Sequence, residues 1–434
     1  MSESLLRRTE LLNLLGVGER DIDKACKYPV TITPAQYTKM YTREGIAKRV
    51  VKIEPEECWK VVPEVMENEA ESETPFEKAW EELLAEHKIW NYLKRLDMVS
   101  GIGRYGGMLI GVDDGGMLSD PVELTDGDTT PKNKLLFLRP LDEANLTIKD
   151  VETDIASNRY SMPTLYEIKE PSAIGMGKTT LVHWTRIHHQ ADNVDLSDMF
   201  GAPRMQSVYN YLENIRKVDG GSGEMFWLGG FPGFSFEANE PNAIIDDDSV
   251  KDQVEAYSEG FQRYLNMVGG TVKSLEPQVA DPTPHIMINI KLIAAARGIP
   301  YRIFIGTEES KLSSTQDRQM WNDRTAGRQK LYLTPCMIEP FINRLIQLSI
   351  LPTCKTLIVS WPKMSTLNES DNAEVTAKLI SAIKDYILSG AETIIPVFHF
   401  LTIFLGLTDD QALAIIDAAE AQAIGEPDDD IDSE

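Results

Sequence analysis

Basic residues are scarce for the size of this chain: across 434 residues, 43 Lys and Arg face 68 Asp and Glu, a formal charge of −25. Such a surface repels phosphate, which excludes a protein that holds nucleic acid by neutralising its backbone. It leaves open a protein past which nucleic acid slides, and one whose acidity serves solubility alone. Cysteine is equally sparse. Cys26, Cys58, Cys336 and Cys354 have no Cys-x-x-Cys spacing, so disulfides and zinc are not expected and the thiols read as reduced, in a cytosolic setting. Long apolar runs are missing too. Met1 to Arg8 has no signal-like core, and Ile394 to Leu407, which contains Pro396 and His399, is too short to span a bilayer. A soluble protein with no membrane partner is expected.

Catalytic signatures are a further absence. Gly175-Met-Gly-Lys-Thr-Thr180 has the look of a phosphate-binding loop, but Ser172 stands where its first glycine belongs and the lysine leads into a strand-like run instead of a helix. A β-turn between strands is the reading. His183, His188 and His189 have no acidic residue at ligand spacing, and the last two, as neighbours, point to opposite sides of a strand. No catalytic residue, cofactor or metal is assigned, and no enzyme is expected.

What is present is a mixture of helices and strands without regular βαβ alternation, hence an α+β fold. Hydrophobic content of 42% is enough to pack most of the chain. Thr42 to Val51 reads as a short helix ending before Pro55, anchored by Trp59, and the acidic run Glu64 to Glu73 as a solvated connection. Phe76, Trp80, Leu83, His87 and Trp90, at steps of four, three, four and three, form one stripe of a single helix, in which His87 is a packed residue. Strands are expected at Met108 to Val112, Leu135 to Leu138, Thr164 to Ile168 and Thr180 to Ile187. Ser207 to Lys217 is a short helix, Asp219 to Glu224 a flexible link, and Phe226, Trp227, Phe231, Phe234 and Phe236 a local core or a subunit contact.

From Asp248 to Val268 an amphipathic helix of about twenty residues, roughly 30 Å long, is expected. Its apolar stripe (Val250, Val254, Tyr257, Phe261, Tyr264, Val268) lies opposite an acidic one formed by Asp248, Asp252, Glu255 and Glu259. A connection from Thr271 to Pro284 leads to a helix over His285 to Arg297 that is apolar on nearly all sides and must be covered by neighbours. A β-rich run ends at Gly306, a polar loop follows, and Ser314-Thr-Gln-Asp317 has the form of a helix start. From Asp317 a long helix runs on, kinked at Pro335 and Pro340. Ile358 to Trp361 is a strand, Ala373 to Leu388 and Asp409 to Ala423 are helices, and residues 425–434 form an acidic tail expected to be disordered.

This order of elements resembles the portal proteins of tailed bacteriophages. The residues that carry the resemblance are Ile299-Pro-Tyr-Arg-Ile-Phe-Ile-Gly-Thr-Glu308 followed by Leu312-Ser-Ser-Thr-Gln-Asp317. Arg43 to Trp59, Tyr105-Gly-Gly107, Val182 to Arg186 and Gly220 to Gly233 match in the same order. Tyr301 departs from the expected lysine, and Thr315 extends the serine pair.

The resemblance implies a ring, usually a dodecamer, at one vertex of the phage head, through which double-stranded DNA is packaged and later ejected. It divides the chain into an arm and α+β wing (1–247), first stem helix (248–270), clip (271–284), second stem helix (285–300), strand and tunnel loop (301–316), kinked wing helix and strand (317–365), helical crown (366–424) and tail. Thr307, Glu308, Glu309, Ser310, Lys311, Leu312 and Ser313 fall in the tunnel loop, and Thr271, Lys273, Leu275, Glu276 and Asp281 in the clip that docks the large terminase and later the neck adaptor. Major capsid and scaffolding proteins are the further implied partners, and the host cytoplasm the place of assembly. Two questions stay open: whether the acidic stem stripe faces the channel or the outside, and whether Lys311 touches phosphate or pairs with an acid of a neighbouring subunit. The alternatives are another virion ring or adaptor protein, and an enzyme binding a nucleotide at Gly175 to Thr180.

Overall fold

The computed structural model describes residues 21–67, 74–125, 130–169, 179–195, 197–230, 233–238, 247–258, 270–275, 281–306 and 311–362, and beyond these 380–381, 383–384, 386, 388, 390, 395–404, 412–413 and 415–416. The chain divides into two units, residues 1–364 and 365–434. The first begins with helices α1 (Ile22–Cys26), α2 (Pro34–Arg43) and α3 (Gly45–Cys58), strand β1 (Glu64–Met66), and helices α4 (Pro75–Glu86) and α5 (Ile89–Ser100). Strands β2 (Gly106–Val112), β3 (Leu135–Asp142), β4 (Leu146–Val151), β5 (Pro163–Lys169), β6 (Thr179–His183) and β7 (Ile187–Gln190) follow. Then come α6 (Tyr209–Gly230), β8 (Gly233–Ala238), α7 (Asp247–Ser258), β9 (Gly270–Leu275), α8 (Thr283–Arg297), α9 (Tyr301–Ile305) and α10 (Lys311–Arg328). A π-helical segment, Gln329–Ile338, joins α10 to α11 (Glu339–Gln347), and β10 (Ile358–Ser360) closes the unit.

Two three-stranded antiparallel sheets, ordered β3-β2-β7 and β4-β5-β6, form the β part. Strand β2 is buried along its whole length, and its side chains alternate between two cores as the two-residue period requires. Met108, Ile110 and Val112 join Trp80, Leu93, Leu96, Met337, Phe341 and Ile342 on the helical side. Leu109 joins Tyr105, Leu146, Tyr166 and Val182 between the sheets. A third core packs α2, α3 and α6 against α8, α9 and α10, through residues such as Val50, Leu212, Ile293, Phe304 and Trp321.

Several sequence expectations are corrected. The helix expected over Thr42 to Val51 is α3, which does not stop before Pro55 but runs through it to Cys58. Proline cannot donate to the carbonyl four residues back, and that carbonyl, on Val51, instead accepts from Arg204 Nη1 at 3.0 Å. Glu64–Met66 is not a solvated link but a strand paired with β10. The aromatic stripe from Phe76 to Trp90 belongs to two helices: at His87 the backbone is extended (φ −117°, ψ 134°), and Trp90 turns its ring edge-on to Trp80 at 5.7 Å. The Asp219–Glu224 link is helical, as part of α6, although glycine there is worth about 1 kcal/mol less than alanine. Phe226 and Trp227 are exposed on that helix; Phe231 lies outside the described residues, and only the backbone of Phe234 and Phe236 is described.

The expected strand before Gly306 is the short helix α9. Pro300 and Gly306, read as strand boundaries, are its N-cap and its left-handed C-cap, and the Gly306 N–H returns to the Arg302 carbonyl at 2.7 Å. Helix α10 starts at Lys311, so Ser314 to Asp317 lie inside it. In the second unit Val397–His399 passes into a π turn, Phe400–Phe404, and the Tyr386 ring stacks on Phe400 at 4.0 Å. Residues 380–388 and 412–416 are helical where described, and the tail lies outside the described residues. Among the described residues no helix is long and apolar enough to cross a membrane.

Candidate functional site

Helix α8 is apolar around most of its circumference. Ile290, Ile293 and Ala294 face the third core, while Met287, Ile288 and Leu292 remain 37%, 52% and 41% exposed on the single chain. Asp281 opens this helix by accepting from the Thr283 N–H at 2.9 Å, and Gly298 ends it in a left-handed cap (φ 62°) whose carbonyl accepts from Arg324 Nη1 at 2.6 Å. Helix α9 follows directly and is held from α3, where Arg49 donates to the Ile303 and Phe304 carbonyls. Thr307, Glu308, Glu309 and Ser310 lie outside the described residues. Lys311, Leu312 and Ser313 stand in the first turn of α10. Residues 307–310 are therefore bounded on both sides by helices that are tied to α3.

On α7, Asp252 and Glu255 are exposed while Val254 and Tyr257 are partly buried, as the two-stripe reading requires. Asp248 lies in the first turn of α7, and Glu259 falls outside the described residues. Strand β9 carries Thr271, Lys273 and Leu275 and pairs with β8, with Thr271 opposite Glu237 and Leu275 opposite Gly233. Lys273 Nζ binds Glu237 at 2.7 Å. Glu276 lies outside the described residues, and Asp281 belongs to the start of α8, apart from the strand.

The kink expected at Pro335 and Pro340 is a widening of the helix. Pro335 sits inside the π segment and Pro340 in the first turn of α11, so the hydrogen-bond pattern changes where proline removes its donor.

Sequence reasoning missed a buried ionic cluster that joins these parts. Arg204 is fully buried; its Nη2 donates to Asp97 at 2.7 Å and to Asp192 at 2.5 Å, and its Nη1 to the Val51 and Asp97 carbonyls, both at 3.0 Å. Arg328, the last residue of α10, reaches Asp97 with both terminal nitrogens, at 2.9 and 2.7 Å. Glu54 of α3 pairs with Arg297 of α8 at 2.5 Å and with Arg324 of α10 at 3.0 Å. Gly101 leaves the space for this: a Cβ there would meet the Arg204 guanidinium carbon at 2.6 Å. Burial alone would raise the Asp97 carboxyl, but Arg328 and Arg204 outweigh it and hold it below its ordinary value. The partners are far apart in sequence and follow no period; the only local sign was a proline inside a helix.

His188 and His189 do face opposite ways. His189 stacks on Tyr105 at 5.0 Å, and His188 lies edge-on to Phe341 at 5.7 Å. Burial, with Arg344 adding to it, lowers the His188 imidazole from 6.5 to about 3. The unfolded chain therefore binds a proton that the folded chain refuses. The stability this provides is complete above pH 6.5 and falls as the pH drops towards 3, by at most about 1.4 kcal/mol per pH unit. Urea unfolding at pH 7, 6 and 5 should show this decline, and His188→Leu should make it shallower without abolishing it, since burial also lowers His189 from 6.5 to about 4. Among the described residues no group of His, Cys, Asp or Glu is arranged to hold a metal.

Solved structures give low-identity likenesses. A chain from the virion of a native gene transfer agent particle shares 12% identity over 87% of this chain and 94% of its own (TM-score 0.48), and a chain from the neck of an empty particle of that agent shares 13% over 87% and 95% (TM-score 0.49). An HK97 family phage portal protein from Corynebacterium diphtheriae shares 8% over 75% and 95% (TM-score 0.38). No curated protein matches the chain. The family model of the phage portal protein matches residues 35–385, and the chain belongs to that family.

Proposed function

We propose that this portal protein forms, with copies of itself, the ring channel of one capsid vertex through which double-stranded DNA is packaged and later ejected, and that the large terminase and then the neck adaptor dock on its clip. The observation that carries this reading is the succession α8, α9, α10: an apolar helix left uncovered on one face, a doubly anchored loop, and a long widened helix. Identical neighbours in a ring cover such a face through a heterologous contact that closes. Helices α7 and α8 are then the stem, β8 with β9 the clip, residues 307–313 the tunnel loop and 366–424 the crown. Major capsid and scaffolding proteins surround it during assembly in the host cytoplasm, and the motor chemistry belongs to the terminase.

Asp252 and Glu255, with Asp248 and Glu259, line the channel in this reading. A negative wall repels phosphate and keeps DNA mobile, whereas many cationic contacts would hold it. Lys311 gives one transient phosphate contact per subunit. Rings carrying Asp252→Lys and Glu255→Lys should assemble but pass DNA several-fold more slowly at low salt, with the deficit shrinking as salt rises. Lys311→Ala should alter packaging rate or packaged length. Wild-type rate, length and salt response in both variants would overturn the assignment of these residues to the channel.

A further inference from the structure

Strand β7 and the two residues beyond it hold the widened helix and its flanks at three points. His188 lies edge-on to Phe341 of α11 at 5.7 Å. Gln190 Nε2 donates to the Tyr332 hydroxyl at 2.6 Å, and that hydroxyl donates to the Ala191 carbonyl at 2.9 Å. Asp192 accepts from Arg328 at 3.3 Å. His188 and Gln190 share one face of the strand, and Asp192 extends that series by two residues. The helical partners run through the π segment and both its flanks: Phe341 in α11, Tyr332 in the π segment and Arg328 at the end of α10.

The opposite face of the strand is itself fixed, because His189 bonds to the Tyr166 hydroxyl at 3.0 Å and to the Met199 carbonyl at 2.8 Å.

We infer that His188, Gln190 and Asp192 form a clamp on the π segment and its flanks that sets the direction of α10, and with it the position of its first turn, relative to the wing sheets. These are positioning residues: none lies in the first turn of α10, and they act through Phe341, Tyr332 and Arg328. The consequence for DNA passage rests on the channel reading above, but the clamp itself does not.

Hydrogen exchange on the assembled full-length chain tests it. Tyr332→Phe removes one oxygen and keeps the ring on which Arg328 rests at 4.8 Å, so the fold is retained; Gln190→Leu is the second variant. Amides of residues 318–338 should exchange at least tenfold faster in either variant, while those of β2 and β3 keep their wild-type rates. Unchanged exchange, or equal acceleration in β2 and β3, would overturn the clamp. Selective acceleration together with wild-type DNA packaging would uphold the clamp and contradict the channel role of that first turn.

Discussion

Replacing Arg204 with methionine is expected to lower the unfolding free energy of the first unit by about 3–5 kcal/mol, seen as an earlier midpoint in chemical denaturation. The guanidinium is fully buried between Asp97 and Asp192, so its loss leaves two carboxylates sharing Arg328 alone, and it also strands the Val51 carbonyl that Pro55 cannot serve. An unpaired buried carbonyl adds roughly 1–3 kcal/mol to the cost of the uncompensated charge. Arg324→Ala supplies the contrast. Its side chain is 46% exposed and its bond to Glu54 is screened by water, so the cost there should stay below about 1 kcal/mol. Equal effects from the two substitutions would mean that the cluster is not the joint it is taken to be.

The double substitution Ile288→Asp and Leu292→Asp should convert rings to monomers without unfolding them. Both side chains are largely outside the single chain's core, so the cost to the monomer should remain near 0.5 kcal/mol each. Between subunits the balance differs. Burying a large aliphatic side chain is worth about 1.5–3 kcal/mol, and a carboxylate in its place must be desolvated, so each contact loses several kcal/mol and at least a thousandfold in affinity. Sedimentation or mass measurement reads the outcome directly. Ile290→Asp is the internal control: buried against α6, it should unfold the chain instead.

The parts of this architecture set by local chemistry were readable in advance. The all-round apolar helix became α8, the two prolines mark the widened helix, and the adjacent histidines face apart because a strand alternates. Where local signals are two-valued, the reading failed. Pro300 and Gly306 bound a strand as readily as a one-turn helix, and the glycines at 220, 221 and 223 lie within a helix that their propensity opposes. His87 carries the aromatic stripe across a break that no proline or glycine announces. The ionic cluster was beyond reach for another reason. Arg204, Asp97 and Arg328 meet across 107 and 231 residues of sequence, and polar contacts at that range leave no periodicity. Residues 307–310, placed in a tunnel loop by the resemblance, lie outside the described residues, and helices α9 and α10 flank them.

The central claim, that copies of this chain close into a channel through the uncovered face of α8, is tested most directly by imaging the purified full-length protein by electron microscopy with its mass measured in parallel. A closed ring with a central opening, with Ile288 and Leu292 buried between neighbours and the start of α10 turned towards the opening, is the expected result. A stable monomer at high concentration, or a ring in which that face of α8 stays in solvent, would contradict it.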